Sequence, residues 1–242
     1  TALFVLGIAL CLTPGRIQCR WQLPYPCRHD PMLASTTFRD IEGYFGENCA
    51  RFYRHQVQIA PEQARFVEVG SFRGRSAYCM AAEIQRTGKQ ISLCCVDTWK
   101  DYEGKAADPD VHYQAFLANT APFKAMIQAI RKPSLDAAGG FTDGSLDFVF
   151  LDAAHDYESV HADIQAWRPK VKASGIIAGH DYSKSWPGVA RAVHAVFGDR
   201  AHLFGSCWAF SETCQSIVPF YLPEYCQRAI KKLKRSWRRE AA

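Results

Sequence analysis

Five short, predominantly apolar runs constrain what this chain can fold into. Phe66–Val69, Ile91–Val96, Met126–Ile130, Leu146–Leu151 and Gly175–Ala178 are four to six residues long and rich in Val, Ile, Leu and Phe. They are too short for ordinary helices and too uniformly apolar for strands with one wet face. Between them lie stretches with helical spacing. Residues 36–58 carry Phe38, Ile41, Phe45, Cys49, Phe52 and Val57 at intervals of three to five, and Pro61 closes the stretch. Ser76–Arg86 ends at Gly88, and Val111–Ala118, Tyr157–Trp167 and Gly188–Phe197 follow, with a polar loop over Thr98–Asp110. In Tyr157–Trp167, Val160, Ile164 and Trp167 share one face. Buried strands alternating with amphipathic helices predict an α/β fold, a doubly wound sheet that is mostly parallel. Ala201–Phe204 and Cys207–Phe210 are predicted to add an antiparallel closing hairpin.

In such a sheet a ligand lies beyond the carboxyl ends of the strands. The polar residues there are Glu68, Asp97, Asp152, His180 and Asp181. The first strand runs into Glu68-Val-Gly-Ser-Phe-Arg-Gly-Arg-Ser76 and then a helix. Gly70 and Gly74 let the backbone approach a ligand, and the helix N-terminus offers unpaired N–H groups. The dinucleotide pattern lacks its third glycine, and there is no Gly-Lys-Ser/Thr of a phosphate loop. An acid before the first glycine repels a pyrophosphate and suits an ammonium group. Asp97, ending the second strand, is placed to accept hydrogen bonds from the two hydroxyls of a ribose.

These residues carry a resemblance. The Glu68–Ser76 turn resembles motif I of class I S-adenosylmethionine-dependent methyltransferases, a Rossmann-like fold, and Val96-Asp97 resembles motif II. Asp147-Phe-Val-Phe-Leu-Asp152-Ala-Ala-His155, Gly175-Ile-Ile-Ala-Gly-His180-Asp181-Tyr182 and Pro187-Gly-Val-Ala-Arg-Ala-Val resemble the small-molecule O-methyltransferases, the macrolide sugar and cephalosporin type, over about residues 35–210. The resemblance implies that Glu68, Gly70, Ser71, Gly74 and Ser76 hold the methionine part of S-adenosylmethionine, Asp97 the ribose, and Ser134 the adenine side. It implies a divalent cation, Mg²⁺ or Mn²⁺, on Asp152, His180 and Asp181. His180 stands where a carboxylate or similar oxygen ligand is usual, and two carboxylates with one imidazole suit Mn²⁺, Fe²⁺ or Zn²⁺ as well as Mg²⁺. His155, three residues after Asp152, resembles the catalytic base of the sugar methyltransferases. An imidazole takes up a proton near neutral pH, and the cation on Asp152 would lower the acceptor's pKa. Trp99 is a candidate for stacking on adenine. The expected substrate is a small hydroxylated molecule.

Charge and cysteine count refine the picture. Of the net +5, seven Lys/Arg and two acids lie from Glu224 onward, leaving 22 basic and 22 acidic groups in the rest. A neutral body argues against a specific nucleic-acid partner. Residues 223–242 are predicted to form a basic helix suited to an anionic surface, and a second copy of the chain is an expected partner. Ten cysteines without CxxC spacing point to reduced structural thiols, with Cys207, Cys214 and Cys226 as the candidates for exceptions. Ala2–Leu12 is an apolar run too short to span a bilayer. Residues 1–31 are therefore expected to be a poorly ordered or leader-like extension, 32–222 the catalytic domain and 223–242 a tail. The expected location is cytoplasmic, with membrane association or export left open by that run. Two other readings stand beside catalysis: a non-catalytic domain of the same fold binding a partner through its tail, and a nicotinamide-dependent reductase. The incomplete glycine pattern argues against the latter.

Overall fold

The computed structural model describes residues 37–100, 108, 110–214 and 217. The expected extension 1–31, the tail 223–242 and Cys226 lie outside the described residues. Seven strands form one sheet: β1 (Arg65–Val69), β2 (Ser92–Asp97), β3 (Ile127–Arg131), β4 (Leu146–Leu151), β5 (Val171–Gly179), β6 (His202–Phe204) and β7 (Cys207–Phe210). Their order is β3-β2-β1-β4-β5-β7-β6. The first five are parallel, and β7 joins β5 antiparallel and turns back into β6. The order reverses at β1, which is where a doubly wound sheet opens a crevice.

The helices are α1 (Glu47–Ile59), α2 (Arg75–Thr87), α3 (Val111–Thr120), α4 (Ser134–Ala138), α5 (Tyr157–Trp167) and α6 (Pro187–Phe197). Side chains alternate across each strand and feed two cores. Phe66, Phe148 and Phe150 pack with Phe52, Tyr53, Met80 and Phe116 of α1–α3. Val67, Val69, Val149 and Leu151 pack with Ile164, Trp167 and Val193 of α5 and α6. Both faces of the sheet are thus covered, which is why the strands read as nearly unbroken apolar runs.

The expected helix over 36–58 is split. A 3₁₀ turn covers Phe38–Asp40, and α1 begins only at Glu47 with Gly46 as its N-cap. Gly43, at φ +152, and Gly46 interrupt what the apolar spacing alone joins. The strand expected over Gly175–Ala178 begins earlier, at Val171, with a register shift against β4 between Leu146 and Phe148. Cys207 and Cys214, expected exceptions, carry free thiols, and Cys207 lies 3.6 Å from Cys49. Among the described residues, no helix is long and apolar enough to cross a membrane.

Candidate active site

Backbone hydrogen bonds continue one residue past the strands and bring their ends into a row. Lys132 N–H donates to Asp97 O, Gly70 to Val96, Asp152 to Val69 and His180 to Leu151. Beyond this row lies a cleft of about 1260 Å³, lined among others by Gly70, Asp97, Trp99, Ser134, Asp152 and Asp163. Phe72, Trp99 and Asp181 are the non-glycine residues with positive φ among the described residues, and each sits just after a strand of this row. Such conformations cluster at binding sites because the surrounding structure has to enforce them.

Gly70 is a place where no side chain fits. At φ +89, an added Cβ would lie 2.0 Å from the Asp152 carbonyl oxygen. The absence of a side chain therefore lets β1 and β4 close together and brings the turn beside Asp152. Gly74, at φ +84, instead meets Thr120 and Phe116 of α3, so its role is to seat α2 against α3. Asp97 holds the loop from below. Its Oδ2 accepts from the N–H groups of Ser71 and Phe72, and its Oδ1 from Trp99 N–H at 2.7 Å. Each carboxylate oxygen has two acceptor positions, so Oδ1 still has room for a hydroxyl on the cleft side.

Glu68 does not line the cleft. It shares the α1 face with Phe66, one residue out of phase with Val67 and Val69, and is buried. Its oxygens accept from Tyr53 Oη at 2.8 Å and Ser76 Oγ at 3.0 Å. Burial pushes its carboxyl up to about 7 despite these bonds. Glu68 and Ser76 thus brace the turn from underneath, while Gly70 faces the cleft. Trp99 lines the cleft but is 1% exposed, packed on Tyr113 and Phe116, with its indole N–H donating to Phe72 O.

A second cluster stands at the ends of β4 and β5. Ligand atoms of Asp152, His155 and Asp181 lie within 4.8 Å of one another. His155 Nε2 donates to Asp181 Oδ2 at 2.9 Å, and its ring stacks on Trp186 with centroids 4.1 Å apart. His180 Nδ1 lies 3.5 Å from Asp152 Oδ1 and 3.3 Å from Asp181 Oδ2, and its Nε2 bonds Ser206 Oγ. Burial would lower the His180 imidazole, but Asp152 and Asp181 outweigh it and push it up to about 12. Burial raises Asp152; at Asp181 it is outweighed by His180 and then His155, which hold that carboxyl low.

The structure brings Gly70, Asp97, Ser134 and Asp152 to one cleft, and His155, His180 and Asp181 beside Asp152. Sequence reasoning missed Asp163 and Trp186. Asp163 carried a readable signal, since it shares the buried stripe of α5 with Val160, Ile164 and Trp167.

This sheet order, with a cleft at its switch point and an acid at the end of β2, defines the class I methyltransferase fold. The comparisons agree. Residues 67–182, just under half of the chain, match the family model described as a methyltransferase domain. An uncharacterized protein of Sinorhizobium fredii is 26% identical over 117 residues, 48% of this chain and only 13% of that protein. The cofactor-bound protein Rv0187 from MTB is 16% identical, covers 70% of this chain and 82% of its own, and has a TM-score of 0.53. The O-methyltransferase from Bacillus cereus in complex with SAH is 14% identical over 71% and 84%, with a TM-score of 0.51. The SAH-bound Podospora anserina methyltransferase PaMTH1 is 11% identical over 71% and 80%, also with a TM-score of 0.51. At such identities these structures show the shared fold.

Proposed function

We propose that the protein moves the methyl group of S-adenosylmethionine to a hydroxyl oxygen of a small molecule, assisted by a divalent cation, Mg²⁺ or Mn²⁺. The observation that carries this reading is the meeting of two sites in one row of strand ends: the Gly70–Asp97 cleft and the Asp152–His155–Asp181 cluster. The cleft fits the cofactor by its chemistry. Gly70 offers a backbone without a side chain, Asp97 keeps an acceptor for the ribose, and Ser134 lines the cleft as the adenine-side residue. Ser71, buried, gives its backbone N–H to Asp97 and belongs to the turn that would meet the methionine part. Glu68, Gly74 and Ser76 support the turn that meets the methionine part.

The cluster fits a cation as well. Ligand atoms of Asp152, His155 and Asp181 lie within 4.8 Å of one another, a spacing that suits one metal with bonds of about 2.0–2.4 Å. His180 Nδ1 stands 3.5 Å from Asp152 Oδ1 and 3.3 Å from Asp181 Oδ2, so Asp152 and Asp181 would supply carboxylates and His180 the imidazole, whose proton a bound cation would have to displace. When bound, the cation makes the acceptor hydroxyl more acidic and orients it. His155 is the base. Its Nε2–H is held by Asp181, which leaves Nδ1 to accept the hydroxyl proton. Trp186 stacked on the ring keeps that nitrogen aimed. Methyl transfer from sulfonium to oxygen is an in-line displacement, so alignment and this single proton transfer are what the protein contributes.

The test is mass spectrometry of products from a panel of hydroxylated metabolites, incubated with the protein and S-adenosylmethionine. A mass gain of one methyl on oxygen is expected, reduced by EDTA and restored by Mn²⁺ or Mg²⁺. No binding of S-adenosylmethionine would refute the reading, and full activity in EDTA would remove the cation from it. The same reading places the protein in the cytoplasm as a homo-oligomer, with residues 223–242 meeting an anionic surface. Fractionation, light scattering and cosedimentation with anionic vesicles test these points.

A further inference from the structure

We propose that Cys49 and Cys207 are an oxidisable dithiol that closes to a disulfide in the folded protein and, through Ser206, reaches His180. The closing of the pair rests on neither the cofactor nor the cation reading. Cys49 lies in the first turn of α1 and Cys207 begins β7, 158 positions away. The fold brings their sulfurs to 3.6 Å, the Cys207 thiol donating to Cys49 Sγ. A disulfide bond is about 2 Å long, so the sulfurs have to approach by about 1.5 Å. Cys94 and Cys95, although adjacent, face opposite cores of the sheet and offer no such pair.

A separate contact holds the two elements together. Phe204 pairs with Cys207, which leaves Gly205 and Ser206 as the tip of the closing hairpin. A Cβ built on Gly205 would stand 3.3–3.4 Å from the Asn48 side chain, so the tip is seated on the first turn of α1. Both sulfurs are buried, but Gly205 and Asn48 beside them are exposed, and β6 is a three-residue strand at the edge of the sheet. Local opening of such a hairpin end admits a small oxidant. With hydrogen peroxide, one sulfur attacks a peroxide oxygen, the O–O bond breaks, and a sulfenic acid and one water form. The second sulfur then attacks the first, the S–O bond breaks, and the hydroxide leaves as a second water with the remaining thiol proton. The thiols lose two electrons and the peroxide gains them.

Ser206 precedes Cys207, and its Oγ lies 2.8 Å from His180 Nε2. Drawing Cys207 toward α1 therefore moves the partner that positions the His180 ring beside Asp152 and Asp181. In the experiment the folded full chain is treated with millimolar hydrogen peroxide, its remaining thiols are blocked with N-ethylmaleimide, and an unreduced digest is read by mass spectrometry. A cross-linked pair of peptides joining Cys49 to Cys207, two hydrogens lighter than the separate thiol peptides and lost with dithiothreitol, is expected. In NMR spectra of histidine-labelled protein without added metal, the His180 ring signal, assigned by its loss in His180→Gln, is expected to shift on oxidation and return on reduction. In Cys207→Ala, and in Cys49→Ala as a second variant, peroxide should leave that signal in place. Cysteines 49 and 207 that stay free, or end as separate sulfinic acids, overturn the dithiol. A complete cross-link with an unmoved His180 signal overturns the path through Ser206.

Discussion

Replacing Gly70 with alanine tests whether the cofactor turn and the β4 end form one mechanical unit. The new Cβ would lie 2.0 Å from Asp152 O, 2.5 Å from Asp152 C and 2.9 Å from Ala153 Cα, all backbone atoms that cannot rotate away. To restore ordinary contact the two strand ends must part by about 1.5 Å. Left-handed backbone at φ +89 adds about 1 kcal/mol for a residue with a side chain. Overpacking typically costs about 1–3 kcal/mol more. Gly70→Ala is therefore expected to lose about 2–4 kcal/mol, a fall of about 1–2 M in the urea midpoint at a slope near 2 kcal/mol/M. Gly88→Ala is the control. Gly88 has φ +74 and caps α2, but nothing lies within 4 Å of its added Cβ. It should cost about 1 kcal/mol and leave binding alone. In Gly70→Ala, S-adenosylhomocysteine affinity should drop at least about tenfold, because a displacement of about 1 Å is enough to spoil a positioned site. Equal losses in the two variants, or wild-type affinity in Gly70→Ala, would refute the reasoning.

Asp97→Ala removes the acceptor of three backbone N–H groups as well as the ribose partner, so cofactor affinity should fall about 100-fold and the melting temperature should drop with it. Undiminished affinity by calorimetry would remove the ribose assignment. His155→Ala should bind S-adenosylhomocysteine within about twofold of wild type but lose turnover by about 10²–10⁴; normal turnover would exclude His155 as the base. Glu68 sets a pH dependence. Its carboxyl is raised from 4.5 to about 7 in the folded chain, so the folded state holds its proton longer than the unfolded one. Its stability contribution is full below about pH 4.5, declines as pH rises to about 7 and is flat above, a loss of about 3 kcal/mol at most. Urea midpoints at pH 5 and pH 8 should differ less in Glu68→Gln than in wild type, and parallel behaviour would contradict the burial argument.

The sheet was legible because a doubly covered strand has to be apolar on both sides. Leu146–Leu151, buried throughout, matches its expected bounds, as does Tyr157–Trp167, whose start is set by the Asp156 cap. Helix α4 escaped notice because five residues carry too little periodicity. The 36–58 stretch misled because apolar spacing continues through Gly43 and Gly46 although the backbone does not. At the site, residue types at strand ends were readable, but their directions were not. Glu68 turns under the cleft because alternate residues of β1 face opposite cores. The His155–Asp181 pair spans 26 positions, and the Trp167–Ser134 bond 33. Such pairings depend on tertiary packing and leave no local signature.

The central claim is that this cleft binds S-adenosylmethionine. Calorimetric titration of the purified protein with S-adenosylmethionine, with and without Mn²⁺, tests it most directly. The account predicts saturable one-to-one binding that Asp97→Ala weakens. A folded protein that shows no binding at millimolar cofactor under either condition would contradict it.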